Sequence, residues 1–182
     1  QCFFTLFPIV FKMINFLFQL LPRQIHLIIF ILVGSLLGYA AYSMKILGLE
    51  ACTLCITQQF FYCVIGISAF IAFLNNPKPS YSRFYSVFIS LGAVAGIWIS
   101  GRQVWLQGLP EDEVPLCGPP LEYIIDVFPF ADVLNALFMG DGNCAEIPWK
   151  FLGLSMAGWS LIWFVVIFIL SILAIRKSST IS

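Results

Sequence analysis

The stretch CTLCITQQFFYCVIGISAFIAFL, Cys52–Leu74, carries the two features that decide the fold. From Ile56 to Leu74 it has no charged residue. At about 1.5 Å per residue, a helix of that length crosses most of a hydrocarbon core about 30 Å thick. Its first four residues are a C-x-x-C, so two thiols stand where that helix begins. Working outward, three more apolar stretches reach spanning length: Ile25–Met44, Phe84–Val104 and Trp159–Ile175. A buried core helix of a soluble domain imitates one such stretch. Four of them in 182 residues leave too little polar sequence to wrap them in water.

Composition agrees. The chain is 60% hydrophobic and 10% charged, with a mean hydropathy of +0.97, far from the usage of soluble domains. Its formal net charge is zero, which gives no ground for a nucleic-acid partner or an acidic substrate. The expected fold is an all-α membrane protein, a four-transmembrane-helix bundle with a long periplasmic loop between helices 3 and 4.

The placement of charge sets the orientation. Lys12, Arg23, Lys78, Arg83, Arg176 and Lys177 fall at the two ends and between the second and third spans. The other side receives Lys45, Arg102 and Lys150 with all nine acidic residues. By the positive-inside rule both termini face the cytoplasm. The expected divisions are a cytoplasmic segment 1–24, a four-helix domain 25–177 that includes the outer loop 105–158, and a cytoplasmic tail 178–182. Residues 1–12 precede Met13, the first methionine, and are read as an extension. No small-residue cleavage site marks a secretory signal. Ile14–Gln24 suits the membrane interface.

The turn Asn75-Asn76-Pro77-Lys78-Pro79 is a breaker run that connects the second and third spans. The outer loop is the only long polar region, and function is sought there. It holds Pro110, Pro115, Pro119 and Pro120 around Cys117, then a mixed apolar stretch, Leu121–Met139. That stretch is expected to lie along the membrane surface as a short helix broken by Pro129.

Topology sorts the six cysteines. Cys52, Cys55, Cys117 and Cys144 share the outer, oxidising face. Cys2 lies on the other side, and Cys63 about two turns inside the second span, where a free cysteine behaves as a small hydrophobe. Positions 52, 55, 59 and 63 nevertheless follow helical steps of three and four, which extends one face down to Cys63 and toward any cavity there. A thiol pair at a helix amino terminus is expected to favour thiolate. Cys117, in Pro115-Leu116-Cys117-Gly118-Pro119-Pro120, sits on a stiff segment suited to attack by another protein. Cys144, in Gly140-Asp141-Gly142-Asn143-Cys144-Ala145-Glu146, lies among turn formers that let a resolving thiol move.

Other uses of these thiols remain open on spacing alone. A structural zinc site needs closely spaced ligands on both arms. Here Cys117 and Cys144 stand 26 residues apart, with no histidine near them. Two inert disulfides stapling the loop of a nonenzymatic membrane subunit are the competing interpretation. Against them, the membrane already constrains the spans that such staples would hold.

With these residues in place, the sequence resembles the disulfide bond formation protein B (DsbB) family of bacterial inner-membrane thiol oxidases. The likeness covers nearly all of Met13–Lys177. It rests on Cys52-x-x-Cys55 opening the second span, Gly101-Arg102-Gln103 at the end of the third, and Cys117. It rests also on Asn143-Cys144-Ala145-Glu146 followed by Trp149, Phe151-Leu152-Gly153-Leu154, Met156 and Trp159. Vitamin K epoxide reductase-like proteins also couple thiols to quinones, but place the C-x-x-C after the loop cysteines.

The resemblance implies a protein-dithiol:quinone oxidoreductase with catalytic Cys52, Cys55, Cys117 and Cys144. A reduced periplasmic DsbA-like thioredoxin-fold partner attacks a Cys117–Cys144 disulfide at Cys117, Cys144 engages Cys52, and Cys55 faces ubiquinone or menaquinone. The expected quinone contacts are Cys55, Gln59, Arg102, Trp149 and Trp159. Family members commonly carry Arg where this chain has Gln59. An amide keeps a hydrogen-bond donor there but supplies no positive charge.

Overall fold

The computed structural model describes residues 21–46, 48, 51–75, 78–110, 112–119, 121–147 and 149–181. Cys2, the extension 1–12, most of the interfacial segment 14–24, and Glu50, Asn76, Pro77, Glu111 and Pro120 lie outside them. Four helices among the described residues are long and apolar enough to cross a membrane. They are α1 (Pro22–Ile46), α2 (Thr53–Asn75), α3 (Pro79–Leu106) and, last in the chain, α6 (Met156–Ile181). Between α3 and α6 come α4 (Leu121–Val127), α5 (Phe130–Met139), a 3-10 turn (Gly142–Ala145) and a hairpin of β1 (Lys150–Phe151) and β2 (Leu154–Ser155).

Each long helix exceeds the apolar stretch that predicted it. An apolar run marks only the hydrocarbon crossing, whereas a helix continues while its backbone bonds are satisfied. Pro22 and Pro79 open α1 and α3, where a missing N–H costs nothing. The Gln24 side chain accepts the Leu21 N–H at 2.9 Å, so Pro22–Gln24 belong to the first helix rather than to a separate segment. At the other end α6 runs through Ile181, and the hydroxyl of buried Ser178 donates to Ser82 at 3.2 Å. The expected tail therefore continues the bundle.

The helices pack in the cyclic order α1, α2, α3, α6, with the α3–α6 contact the most extensive. Ile25, Ile29 and Val33 on α1 follow steps of four and meet Ile65 and Ala69 of α2, Ile89 and Ala93 of α3, and Phe164 and Ile167 of α6. Close approach depends on small residues, as in other membrane bundles. A Cβ on Gly96 would strike the Phe164 ring, and that ring stacks on Tyr62 at 4.1 Å. Pro129 separates α4 from α5, as the loop sequence predicts, because a proline there ends one helix and its extended conformation caps the next.

Candidate active site

The α2 amino terminus, the outer end of α3 and the 3-10 turn meet at one end of the bundle. Leu54, Ile99, Leu106 and Cys144 are fully buried there and form a second apolar cluster. The turn-rich sequence around Cys144 places its sulfur within that cluster. Gly140 explains how, since its φ is +74° and a Cβ would lie 2.6 Å from Leu54 and 3.3 Å from the Cys144 sulfur. Glycine alone supplies both the backbone shape and the room. Thr57 bonds the Leu137 carbonyl at 3.0 Å and so ties α5 to α2.

Three sulfurs gather at this junction. Cys52 and Cys55 lie 3.0 Å apart, and Cys52 also hydrogen-bonds Cys144. The Thr53 hydroxyl stands 3.4 Å from the Cys144 sulfur. Cys117 is apart from them, exposed, on an extended segment whose backbone is nonetheless fastened to the turn. Gly142 N–H donates to the Leu116 carbonyl at 3.1 Å, and the Asn143 amide to the Gly118 carbonyl at 3.0 Å. Loop cysteines far apart in sequence thus occupy neighbouring segments, one sulfur facing out and the other in.

The electrostatics revise one expectation. The helix start was predicted to favour a thiolate in the C-x-x-C; at Cys52, the first of the two, the expectation fails, and the thiol is pushed up, first by its hydrogen bond to Cys144, then by Cys55 and burial. Cys144 instead is pulled down to about 6. The hydrogen bond from Cys52 is the main cause, with burial opposing it and Thr53 and the backbone at Asp141 and Leu54 assisting. Leu54 belongs to the first turn of α2, so the helix terminus serves the visiting loop sulfur.

Beside the sulfurs lies a cavity of about 250 Å³ bounded by α1, α2, α6 and the hairpin approach. Cys55, Gln59, Trp149 and Trp159 all line it, with Leu36 and Tyr62 deeper among its walls. Trp149 stacks on Phe151 at 5.8 Å, and the Trp159 indole N–H holds the Phe151 carbonyl at 3.1 Å. Leu152 and Gly153 at the hairpin tip have φ values of +52° and +82°, the paired positive φ of a tight two-residue turn.

Two expected neighbours are elsewhere. Arg102 does not line the cavity: its guanidinium lies 4.4 Å over Trp105 and donates to the Met139 carbonyl at 3.3 Å. Gln103, the next residue, faces inward, since a helix turns about 100° per residue. Cys63 is exposed on the bundle surface and also outside the cavity. Steps of four drift about 40° each, so the face shared by Cys55 and Gln59 has rotated away by Cys63, and Tyr62 takes the place.

Comparison with known proteins agrees with this arrangement. The family model described as "Disulfide bond formation protein DsbB" matches residues 22–174. The chain belongs to the DsbB family. It is 45% identical to Disulfide bond formation protein B of Saccharophagus degradans, over 82% of this chain and 90% of that protein. It is 39% identical to the Marinobacter nauticus protein of the same name, over 85% and 92%. Against Disulfide bond formation protein B 1 of Pseudomonas aeruginosa it is 38% identical, over 79% and 88%. The chain is accordingly a multi-pass membrane protein with an oxidoreductase role in disulfide bond formation.

Sequence reasoning missed Gln58 and gave Gln103 no role beyond the family motif. Both are buried, and Gln103 contacts Cys52 and Cys55. The available signal was an uncharged polar residue on an apolar span, which must find a partner in lipid.

Proposed function

We propose that this chain reoxidises a periplasmic DsbA-like dithiol protein and passes the electrons to a membrane quinone, from the bacterial inner membrane with both termini in the cytoplasm. The observation that carries the proposal is the order of the sulfurs. Cys117 is exposed, Cys144 is buried against Cys52, and Cys55 lies beside Cys52 on the wall of an apolar cavity. Each neighbour is the next acceptor or donor in a thiol–disulfide exchange.

A partner thiolate attacks Cys117 of a Cys117–Cys144 disulfide, and the pair of electrons leaves on Cys144. That leaving group is favoured because Thr53 and the backbone at Asp141 and Leu54 stabilise its thiolate. The Cys144 thiolate then attacks Cys52, and Cys55 is released as the new thiolate. The partner's second thiol attacks the mixed disulfide and departs oxidised, freeing the Cys117 thiolate, which attacks Cys144, re-forms the Cys117–Cys144 disulfide and releases Cys52 as a thiolate beside Cys55.

The cavity fits a quinone ring. Small-molecule sites are mostly apolar with a few placed polar groups and begin near about 300 Å³. This slightly smaller one, with Gln59 as donor and aromatic walls at Trp149 and Trp159, suits a ring headgroup whose tail remains in lipid. When bound, the quinone supplies a two-electron acceptor for the Cys52–Cys55 dithiol. The chain's own residues orient the ring, exclude water and present the Cys55 sulfur.

Anaerobic mixing with a reduced DsbA-like protein and a water-soluble ubiquinone analogue tests the reading. Stoichiometric loss of partner thiols with loss of quinone absorbance is expected. Partner thiols that stay reduced, or that oxidise with no change in the quinone, would sink it.

A further inference from the structure

Two buried amides stand behind the reacting sulfurs. Gln103 on α3 is 3% exposed and Gln58 on α2 is 5% exposed. Gln103 Nε2 donates to the Cys55 sulfur at 3.2 Å and to the Cys52 sulfur at 3.3 Å. Its Oε1 accepts from Gln58 Nε2 at 2.6 Å. A carboxamide nitrogen has two N–H bonds, while its oxygen only accepts. With the oxygen held by Gln58, both N–H bonds are directed at sulfur.

We propose that Gln103 is a catalytic residue, stabilising the thiolate released on Cys55 when Cys144 attacks Cys52, and that Gln58 is a positioning residue fixing the Gln103 amide with its N–H bonds toward sulfur. The proposal rests on the exchange order given above. In that step the Cys144 electron pair forms the Cys144–Cys52 bond, the Cys52–Cys55 bond breaks, and its pair stays on Cys55. No other oxidant or reductant enters. Hydrogen bonds to an ionised acceptor are about twice as strong as neutral ones, so Gln103 binds the product of this step better than the disulfide that precedes it. Differential stabilisation of that kind lowers the barrier and raises the pair's reduction potential. A neutral donor also avoids placing a cation within the apolar end of the bundle.

The test uses the full chain in lipid nanodiscs with Cys2, Cys63, Cys117 and Cys144 replaced by Ser, so that Cys52–Cys55 alone equilibrates with dithiothreitol buffers, free of quinone. Gln103→Met keeps length and apolar volume but removes both donors. The fraction oxidised, read by thiol alkylation, should shift about tenfold toward disulfide, a potential about 30 mV more negative. Gln58→Met should shift it in the same direction but less, and the double variant should match Gln103→Met alone, since Gln58 works only through Gln103.

An unchanged potential in folded Gln103→Met, or additive effects of the two substitutions, would overturn the assignment. Should Gln103→Met fail to insert, the potential of Gln58→Met decides: an unchanged value rejects the proposal and a negative shift supports it. Failure of the relay itself is seen separately, in the protein with all four cysteines, as a reduced partner that never reduces Cys52–Cys55.

Discussion

The two cysteine arms of the site are built in opposite ways. Cys52 and Cys55 open a membrane helix, half-buried, with Gln103 bridging both sulfurs. Cys117 and Cys144 belong to a loop, and their surroundings differ from each other as much as from the first arm. One is exposed beside a Leu116 that is 92% exposed, and the other is fully buried against Leu54, Ile99 and Leu106. The rigid arm keeps its pair together. The loop arm spans the distance from solvent to the helix end, so that one exchange moves electrons from a protein surface to the edge of an apolar cavity.

If that division of labour is correct, the largest effect comes from removing the outward sulfur. Cys117→Ala should abolish oxidation of a DsbA-like partner, while a partner variant that keeps only its attacking cysteine should stay joined to Cys117 of the parent chain in a mixed disulfide that persists on a nonreducing gel. Normal partner oxidation by Cys117→Ala would mean that the two arms do not work in series.

Next in size is the contact that seats the loop. Gly140→Ala places a side chain at φ +74° and against both Leu54 and Cys144. The backbone term alone is about 1–2 kcal/mol, and the collision adds to it. Cys144 should become open to a maleimide that does not label it in the parent, and transfer to Cys52 should slow by about tenfold or more. Gly153→Ala is the matched control. Its φ of +82° brings a comparable backbone cost with nothing within 4 Å of the new Cβ, so Cys144 should remain protected.

Smaller again is the pH dependence. With Cys52 in its disulfide, Thr53 and the backbone at Asp141 and Leu54 still favour the Cys144 thiolate, and the nucleophile is the thiolate, so its rate of attack on Cys52 should fall as pH drops and rise clearly less than tenfold from pH 7 to 8. An ordinary thiol near 8.5 would instead gain rate steeply between pH 7 and 8.5. Rapid-mixing measurement of the Cys144–Cys52 step at pH 5, 6, 7 and 8 separates the two profiles. A tenfold rise from 7 to 8 would show that Thr53 and the backbone at Asp141 and Leu54 do not stabilise the Cys144 thiolate.

The rigid arm was far more legible in sequence than the loop arm. Apolar length located all four spans, and Pro129 the break between α4 and α5, because bilayer thickness and the missing proline N–H act locally. Helix ends reached farther than hydropathy indicated, since polar residues at an interface do not interrupt backbone bonding. Gathering four thiols on one face followed from topology. The burial of Cys144 did not, because it depends on a Gly140 conformation and a groove between α2 and α3 that exist only after packing. Gln103 and Arg102 make the same point from adjacent positions. Side by side in sequence, they diverge by one helical step, the former to the sulfurs and the latter to Trp105.

The smallest expected effect lies at the cavity end of the rigid arm. Gln59 lines the cavity beside Cys55, and among the described residues its amide has only a long contact, 4.0 Å, to the Met44 sulfur. Its donor is therefore not committed to a strong internal partner. A neutral hydrogen bond contributes about 0.5–1.5 kcal/mol, so Gln59→Leu should raise the apparent KM for a ubiquinone analogue by about twofold to tenfold and leave the Cys144–Cys52 exchange unchanged. Gln59→Arg should lower that KM by a similar factor, because a charged donor binds a carbonyl oxygen more strongly. The two substitutions move one quantity in opposite directions from a single site, which overall loss of folding cannot do. Equal KM values in all three proteins would remove Gln59 from the cavity's function and leave Trp149 and Trp159 as its remaining expected ring contacts.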